Sequence, residues 1–194
     1  MPLPDMQAYS QYLRQRSLAG FLYRTYFLYP RLSRKLTGRV LDYGCGIGDF
    51  VRFRANTVGA DINRHNVDYC LLQGLEARLI EDNRIPFDDC SFDGVVLDNV
   101  LEHIPGDVVD SVIEEVRRVL KNGGKIVAGV PGLKGFDSDP DHKVYYTEDN
   151  LMPLFARHGF EIREVFFMPV ASRKLERILR QFCMYAVFIL KNAN

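Results

Sequence analysis

The nine residues Val40-Leu41-Asp42-Tyr43-Gly44-Cys45-Gly46-Ile47-Gly48 constrain this chain more than any other stretch, because a short apolar strand runs straight into a turn with glycine at every second position. A turn without Cβ atoms lets a ligand approach bare backbone at the carboxyl end of a strand, where open α/β sheets put their binding sites. The spacing narrows the ligand. A dinucleotide fingerprint, G-x-G-x-x-G, requires glycine at position 49 after Gly44 and Gly46; the chain has Asp49 there and Gly48 one place earlier, so the pattern is G-x-G-x-G.

Around this turn, strand and helix patterns alternate, as in a parallel sheet covered on both faces. Strands are expected over 39–42, 57–61, 77–80, 92–97, 125–130, 160–167 and 184–190. Helices are expected over 49–54 and 64–73. A further one carries Val108, Val109, Val112, Ile113, Val116, Val119 and Leu120 at helical spacing, with Gly123-Gly124 closing it. Thr147 can cap a helix bearing Leu151, Leu154 and Phe155 that ends at Gly159, and 172–181 reads as a basic amphipathic piece. The 194 residues fit one domain, 1–194, with an N-terminal helical cap or lid over 1–36 and an α/β core over 37–194.

Composition removes several function classes. With 25 basic and 25 acidic residues there is no global field for nucleic acid or an anionic membrane, and no nucleic-acid partner is expected. Cys45, Cys70, Cys90 and Cys183 lie far apart without C-x-x-C, which argues against a zinc module or disulfide framework. The start, Met1-Pro2-Leu3-Pro4-Asp5, lacks the build of a signal peptide, and no apolar run approaches the ~20 residues that span a bilayer. A cytoplasmic protein, monomer or homodimer, is expected.

With Asp42 two places before the first glycine, the turn resembles motif I of the class I S-adenosylmethionine-dependent methyltransferases, and three further blocks follow in order. Asp61 closes Val58-Gly59-Ala60-Asp61-Ile62-Asn63. The stretch Glu81-Asp82-Asn83-Arg84-Ile85-Pro86-Phe87-Asp88-Asp89-Cys90-Ser91-Phe92-Asp93 resembles the family's acidic-x-x-x-L-P-F-x-D-x-S-F-D. After Asp98-Asn99-Val100-Leu101-Glu102-His103-Ile104, the run Leu120-Lys121-Asn122-Gly123-Gly124 is similar to L-K-P-G-G with Asn122 in place of proline.

The resemblance implies a Rossmann-like three-layer sandwich whose seven-stranded, mostly parallel sheet has the order 3-2-1-4-5-7-6 with an antiparallel last strand. It implies S-adenosyl-L-methionine as cofactor, S-adenosyl-L-homocysteine as product, and a small-molecule acceptor, most simply at an oxygen. Cofactor contacts are then expected from Asp42, Tyr43, Gly44, Cys45, Gly46, Gly48, Ile62, Asp98 and Asn99. Asp61 is expected to accept hydrogen bonds from both ribose hydroxyls, as an acceptor-only group suits. Asp82 with Asn83 is expected at the adenine edge, with Glu81 the alternative by one register.

Methyl transfer needs alignment above all, and a base only where the acceptor is a hydroxyl. His103 and His142 are the candidate catalytic bases; a capping role for Glu102-His103 is the plainer reading. Related methyltransferases hold a divalent ion with Glu and His at this place, but with an additional Glu where this chain has Asn99, so no metal is expected. His65 and His158 read as surface histidines. The aromatic segment Tyr9, Tyr12, Phe21, Leu22, Tyr23, Tyr26, Phe27, Tyr29 is either a lid over the acceptor or a helix packed on the sheet. The glycine-rich, acidic loop from Pro131 to Lys143 has the length of a functional loop. A helix carrying Arg173, Lys174, Arg177 and Arg180 is either an anion-holding element or a solvated face. Two alternatives stay open: a catalytically silent methyltransferase-like module serving a partner, and an NAD-dependent dehydrogenase.

Overall fold

The computed structural model describes residues 6–15, 17–170 and 173–191, without the side chains of residues 9, 12, 14 and 173. Seven strands form one sheet in the order β3-β2-β1-β4-β5-β7-β6: β1 Val40–Tyr43, β2 Thr57–Asp61, β3 Ala77–Leu79, β4 Phe92–Asp98, β5 Leu120–Pro131, β6 Phe160–Met168 and β7 Cys183–Leu190. Strands β1 to β5 pair in parallel, and β7 runs antiparallel between β5 and β6. The order reverses at β1/β4, the switch point where doubly wound sheets bind ligands outside their carboxyl ends.

Helices α1 Met6–Arg14, α2 Leu18–Tyr23 and α3 Tyr29–Ser33 precede the sheet, with a π-helical turn, Arg24–Leu28, joining α2 to α3. Between strands lie α4 Asp49–Phe53, α5 Arg64–Leu72, α6 Val109–Val119, α7 Leu133–Phe136 and α8 Glu148–Arg157. Side-chain alternation along β4 divides the core in two. Val95 and Leu97 pack with Val112, Ile113 and Val116 of α6 and with Leu151 and Phe155 of α8. Val96 points the other way, into a cluster with Leu32 and Leu36 from the N-terminal segment and Phe50 of α4. Both faces are thus covered, which is why the central strands read as unbroken apolar runs. Part of segment 1–36 is core, since Tyr29 and Leu32 are buried on the sheet.

Three expectations are corrected. Strand β5 starts at Leu120, directly after α6, and pairs Phe92 with Leu120 before a register shift between Phe92 and Gly94. Gly123 adopts φ 71° there, so the two glycines shape an irregular strand entry and not a helix end alone. Residues 173–181 make no amphipathic helix: a 3-10 turn, Arg173–Leu175, leads into further turns tied to α7 by hydrogen bonds from the Lys134 amide to Glu176 O and from the Gly132 amide to Phe182 O. His158 is buried, with Nε2 2.6 Å from Asp110 Oδ1, and links α8 to α6; His65 is exposed.

Candidate active site

The glycine turn is clamped to β2. The amides of Gly44 and Cys45 both donate to the Ala60 carbonyl, at 2.7 and 3.1 Å. Gly46, at φ 54°, donates its amide to Asp61 Oδ2 at 2.7 Å, while Asp61 Oδ1 accepts the Asn63 amide at 2.7 Å and Asn66 Nδ2 lies 3.4 Å from Oδ2. A Cβ at Gly44, whose φ is 73°, would come within 2.5 Å of Val100 Cγ2, so the turn and the segment after β4 approach as closely as bare backbone allows. Asp61 therefore organises the turn as well as marking the end of β2. A carboxylate has about four acceptor positions, and the three used here leave one for a ligand.

Burial pushes the Asp61 carboxyl above its ordinary value, against the pull of its hydrogen bonds. Asp42 is raised further: it is buried in β1, with the charges of Asp98 and Asp61 adding to the effect of burial. A cluster of carboxyls held this way favours a cation beside it, which suits a ligand carrying an ammonium and a sulfonium. The Tyr43 ring lies in the core, its hydroxyl pushed up to about 12 by burial and then by Asp61. Cys45 fills the space above Gly59, where a Cβ would meet its Sγ at 2.6 Å. Ile62 is 63% exposed beside Asp61, an apolar surface free for a ring. Asp82 and Asn83 sit exposed at φ 50° and 58° on a tight turn closed by the Glu81–Arg84 bridge, and Glu81 is exposed beside them.

The N-terminal helix covers the turn. Leu13 of α1 is buried, and its Cδ1 lies 3.2 Å from where a Cβ on Gly46 would stand. Asn63, which also caps α5 by accepting the His65 amide, donates Nδ2 to the Met6 carbonyl at 2.8 Å. The side chains of Tyr9 and Tyr12 lie outside the described residues.

At the end of β4 the backbone turns sharply through Asn99, a non-glycine residue at φ 55°, a conformation that asparagine tolerates better than most. Its Nδ2 donates to Asp98 Oδ1 at 2.9 Å, and the same oxygen accepts the Tyr185 hydroxyl at 2.8 Å. Cys183 Sγ reaches Asn99 Oδ1 at 3.5 Å. A 3-10 turn, Leu101–His103, then presents Glu102 and His103. The long loop brings His142 to them: the His103 and His142 rings are 4.6 Å apart, and His142 Nε2 is 4.0 Å from Glu102 Oε1. The Glu102 carbonyl accepts the amides of Lys143 and Val144, at 2.6 and 3.2 Å, and this pairing fixes the loop against the turn.

Glu102 is wholly buried and neither carboxyl oxygen meets a hydrogen-bond partner among the described residues. Burial pushes its carboxyl up to about 8. His103 is held below its ordinary value by burial and then by His142, so a neutral ring with a free lone pair is favoured. Two sequence-predicted histidines are thus brought together, and Glu102, read there as a capping residue, is their partner. Tyr185, Leu13 and Asn63 were absent from the sequence-derived site. Only Asn63 carried a local signal, as a helix cap after an acidic strand end.

A doubly wound sheet with a glycine turn at its switch point, an acidic residue closing β2 and a cluster of carboxyls beneath defines a Rossmann-like fold. Residues 41–128 match a methyltransferase domain family. The chain is 32% identical over 154 residues to the uncharacterized protein MJ0638 of Methanocaldococcus jannaschii, covering 73% of this chain and 64% of that one. It is 33% identical over 100 residues to the ubiquinone/menaquinone biosynthesis C-methyltransferase UbiE of Desulfotalea psychrophila, covering 46% and 40%. In structure it is similar to an SAM-dependent methyltransferase from Thermotoga maritima, titled a possible histamine N-methyltransferase, with TM-score 0.73 and 17% identity over 96% and 98% of the two chains. Residues 41–128 thus carry a methyltransferase domain, within a chain that has the fold of S-adenosylmethionine-dependent methyltransferases. It spans about half the length of the curated relatives it matches.

Proposed function

We propose that this protein transfers a methyl group from S-adenosyl-L-methionine to a small-molecule acceptor, at an oxygen. The observation that carries the donor half is the Gly46–Asp61 clamp beneath Leu13: a Cβ-free cradle with a hydrogen-bonded carboxylate at ribose reach, closed by an apolar side chain. The bound cofactor supplies a methyl carbon activated by its sulfonium. Asp61 and the Cβ-free face of the turn position the nucleoside, with Ile62 and the Glu81–Asn83 turn at its base. The buried Asp42 and the Asp98–Asn99 pair lie toward the methionine end, where a bound positive charge favours the ionised form of these carboxyls and is favoured by it in turn.

The acceptor half is the Glu102–His103–His142 cluster. A hydroxyl gives up a proton as its oxygen takes the methyl, and imidazole nitrogens beside a carboxylate are suited to that task. The relative UbiE is a C-methyltransferase, so carbon is the competing acceptor atom. The exposed turn at 82–83 and the lid α1 give a ligand entry without unfolding the sheet. The four cysteines are free thiols, in keeping with a reducing, cytoplasmic setting.

The test is transfer of a labelled methyl group to a panel of phenols, quinols, carboxylates, amines and activated carbons. Labelled oxygen ethers or esters support the reading. Labelled carbon alone overturns the oxygen assignment, and stoichiometric cofactor binding with no transfer to any class supports the silent partner module.

A further inference from the structure

We propose that Glu102, His103 and His142 form a binding site for a divalent transition-metal cation, held by two imidazole nitrogens and one carboxylate. Their donor atoms all lie within 4.8 Å of one another. Ligands at about 2.0–2.2 Å from an ion sit about 3–4 Å apart, so a small contraction completes the site. This assignment reverses the expectation that Asn99 set against a metal.

Three independent features point to an ion as the missing partner. Glu102 is 0% exposed, and both of its oxygens lack a hydrogen-bond partner among the described residues. Native proteins rarely bury a carboxyl this way without a cation or a donor to meet it. His142 has its Nδ1 2.9 Å from the Phe136 carbonyl, which fixes the proton on Nδ1 and leaves the Nε2 lone pair on the side of Glu102. A ligating histidine characteristically donates its other ring nitrogen to a backbone carbonyl in this manner. The frame is also rigid: Phe136 stacks on the His142 ring at 5.3 Å, and the Glu102 carbonyl pins the loop at Lys143 and Val144.

The donor set selects the ion. Two nitrogens and one oxygen suit zinc or cobalt better than magnesium or calcium, which favour all-oxygen shells. Three protein ligands leave coordination positions open, as in catalytic and not structural metal sites. An acceptor oxygen would be the natural occupant: with the ion bound the histidines would act as ligands, the acceptor's hydroxyl proton would pass to solvent, and the base role given to them above holds for the metal-free site. That role rests on the methyl-transfer reading; the binding of the ion does not.

The experiment uses untagged, chelator-treated full-length protein titrated with cobalt(II) while visible absorption is followed, with magnesium as control and an S-adenosylhomocysteine thermal shift run in parallel. The expected result is one equivalent of cobalt with tetrahedral or five-coordinate bands, displaced by zinc and unaffected by excess magnesium. In His142→Ala and in Glu102→Gln, cobalt affinity falls at least tenfold while the S-adenosylhomocysteine shift persists, which shows that both variants are folded. Absence of the bands in protein that still binds S-adenosylhomocysteine overturns the proposal, as does cobalt binding that survives both substitutions, or magnesium binding in its place. Cobalt binding without an S-adenosylhomocysteine shift upholds the metal site and removes the methyl-transfer reading.

Discussion

Asp61 and Glu102 are both buried carboxyls near the ligand end of the same sheet, and the protein treats them in opposite ways. Asp61 accepts two backbone amides and a side-chain amide, so its environment is finished before any ligand arrives. Glu102 has no hydrogen-bond partner for either oxygen among the described residues, with His142 Nε2 standing 4.0 Å away. In the proposed reading the donor half is preorganised by the chain itself, and the acceptor half is built around a group the chain does not supply. A buried carboxyl without a partner lowers stability, and sites keep such groups where a bound species compensates.

The largest effect is expected from breaking the finished half. Asp61→Ala strands the Gly46 and Asn63 amides, each at a cost of about 1–3 kcal/mol, and S-adenosylhomocysteine binding is lost along with a clear fall in Tm by calorimetry. Leu13→Ala tests whether α1 is a lid. Removing a buried leucine at a helix of few contacts costs about 2 kcal/mol, at the low end of core truncations. Hydrogen exchange is expected to show α1 deprotected while β1, β4 and β5 keep their protection; loss of protection throughout the sheet would mean α1 is structural.

Glu102→Met sharpens the contrast by changing sign. In metal-free protein the substitution removes an unpartnered carboxyl, and Tm rises by about 2–4 °C for each 1 kcal/mol gained. A fall in Tm would show that Glu102 has a stabilising partner. The smallest effect concerns pH. Asp42 faces Asp98, Asp61, Cys70 and Asp49, and burial first, then these groups, hold its carboxyl well above the unfolded value. The folded protein therefore keeps a proton that the unfolded chain has released. Asp42's contribution to stability is fully present below its unfolded value, about pH 4, and is lost as pH rises through its raised folded value, and Asp42→Asn removes that part of the slope in ligand-free denaturation series.

How far the sequence revealed this depends on distance along the chain. The seven-strand order came with the motif blocks and agrees with the sheet, and 57–61 coincides with β2 because an apolar run flanked by Asn56 and Asn63 leaves no other register. Local chemistry also marked Thr147 as a helix cap, which the structure completes as a capping box with Asn150. What stayed hidden depends on partners far apart in sequence. His158 read as exposed because nothing nearby reveals Asp110, 48 residues away. The Tyr185 hydroxyl on Asp98 crosses 87 residues. Glu102 looked like a helix cap because its burial is produced by the loop at Lys143 and Val144, which no periodicity announces. The basic run after 172 has helical spacing, yet backbone bonds to α7 hold it in turns.

The central claim is that the glycine turn and Asp61 form a finished seat for S-adenosylmethionine. Titration calorimetry of the intact protein with S-adenosylhomocysteine, beside NAD and beside Asp61→Ala, tests it most directly. The account predicts one equivalent of S-adenosylhomocysteine bound by the unaltered protein, none by the variant, and no heat with NAD. Binding of NAD without S-adenosylhomocysteine, or S-adenosylhomocysteine binding undiminished in a folded Asp61→Ala variant, would contradict it.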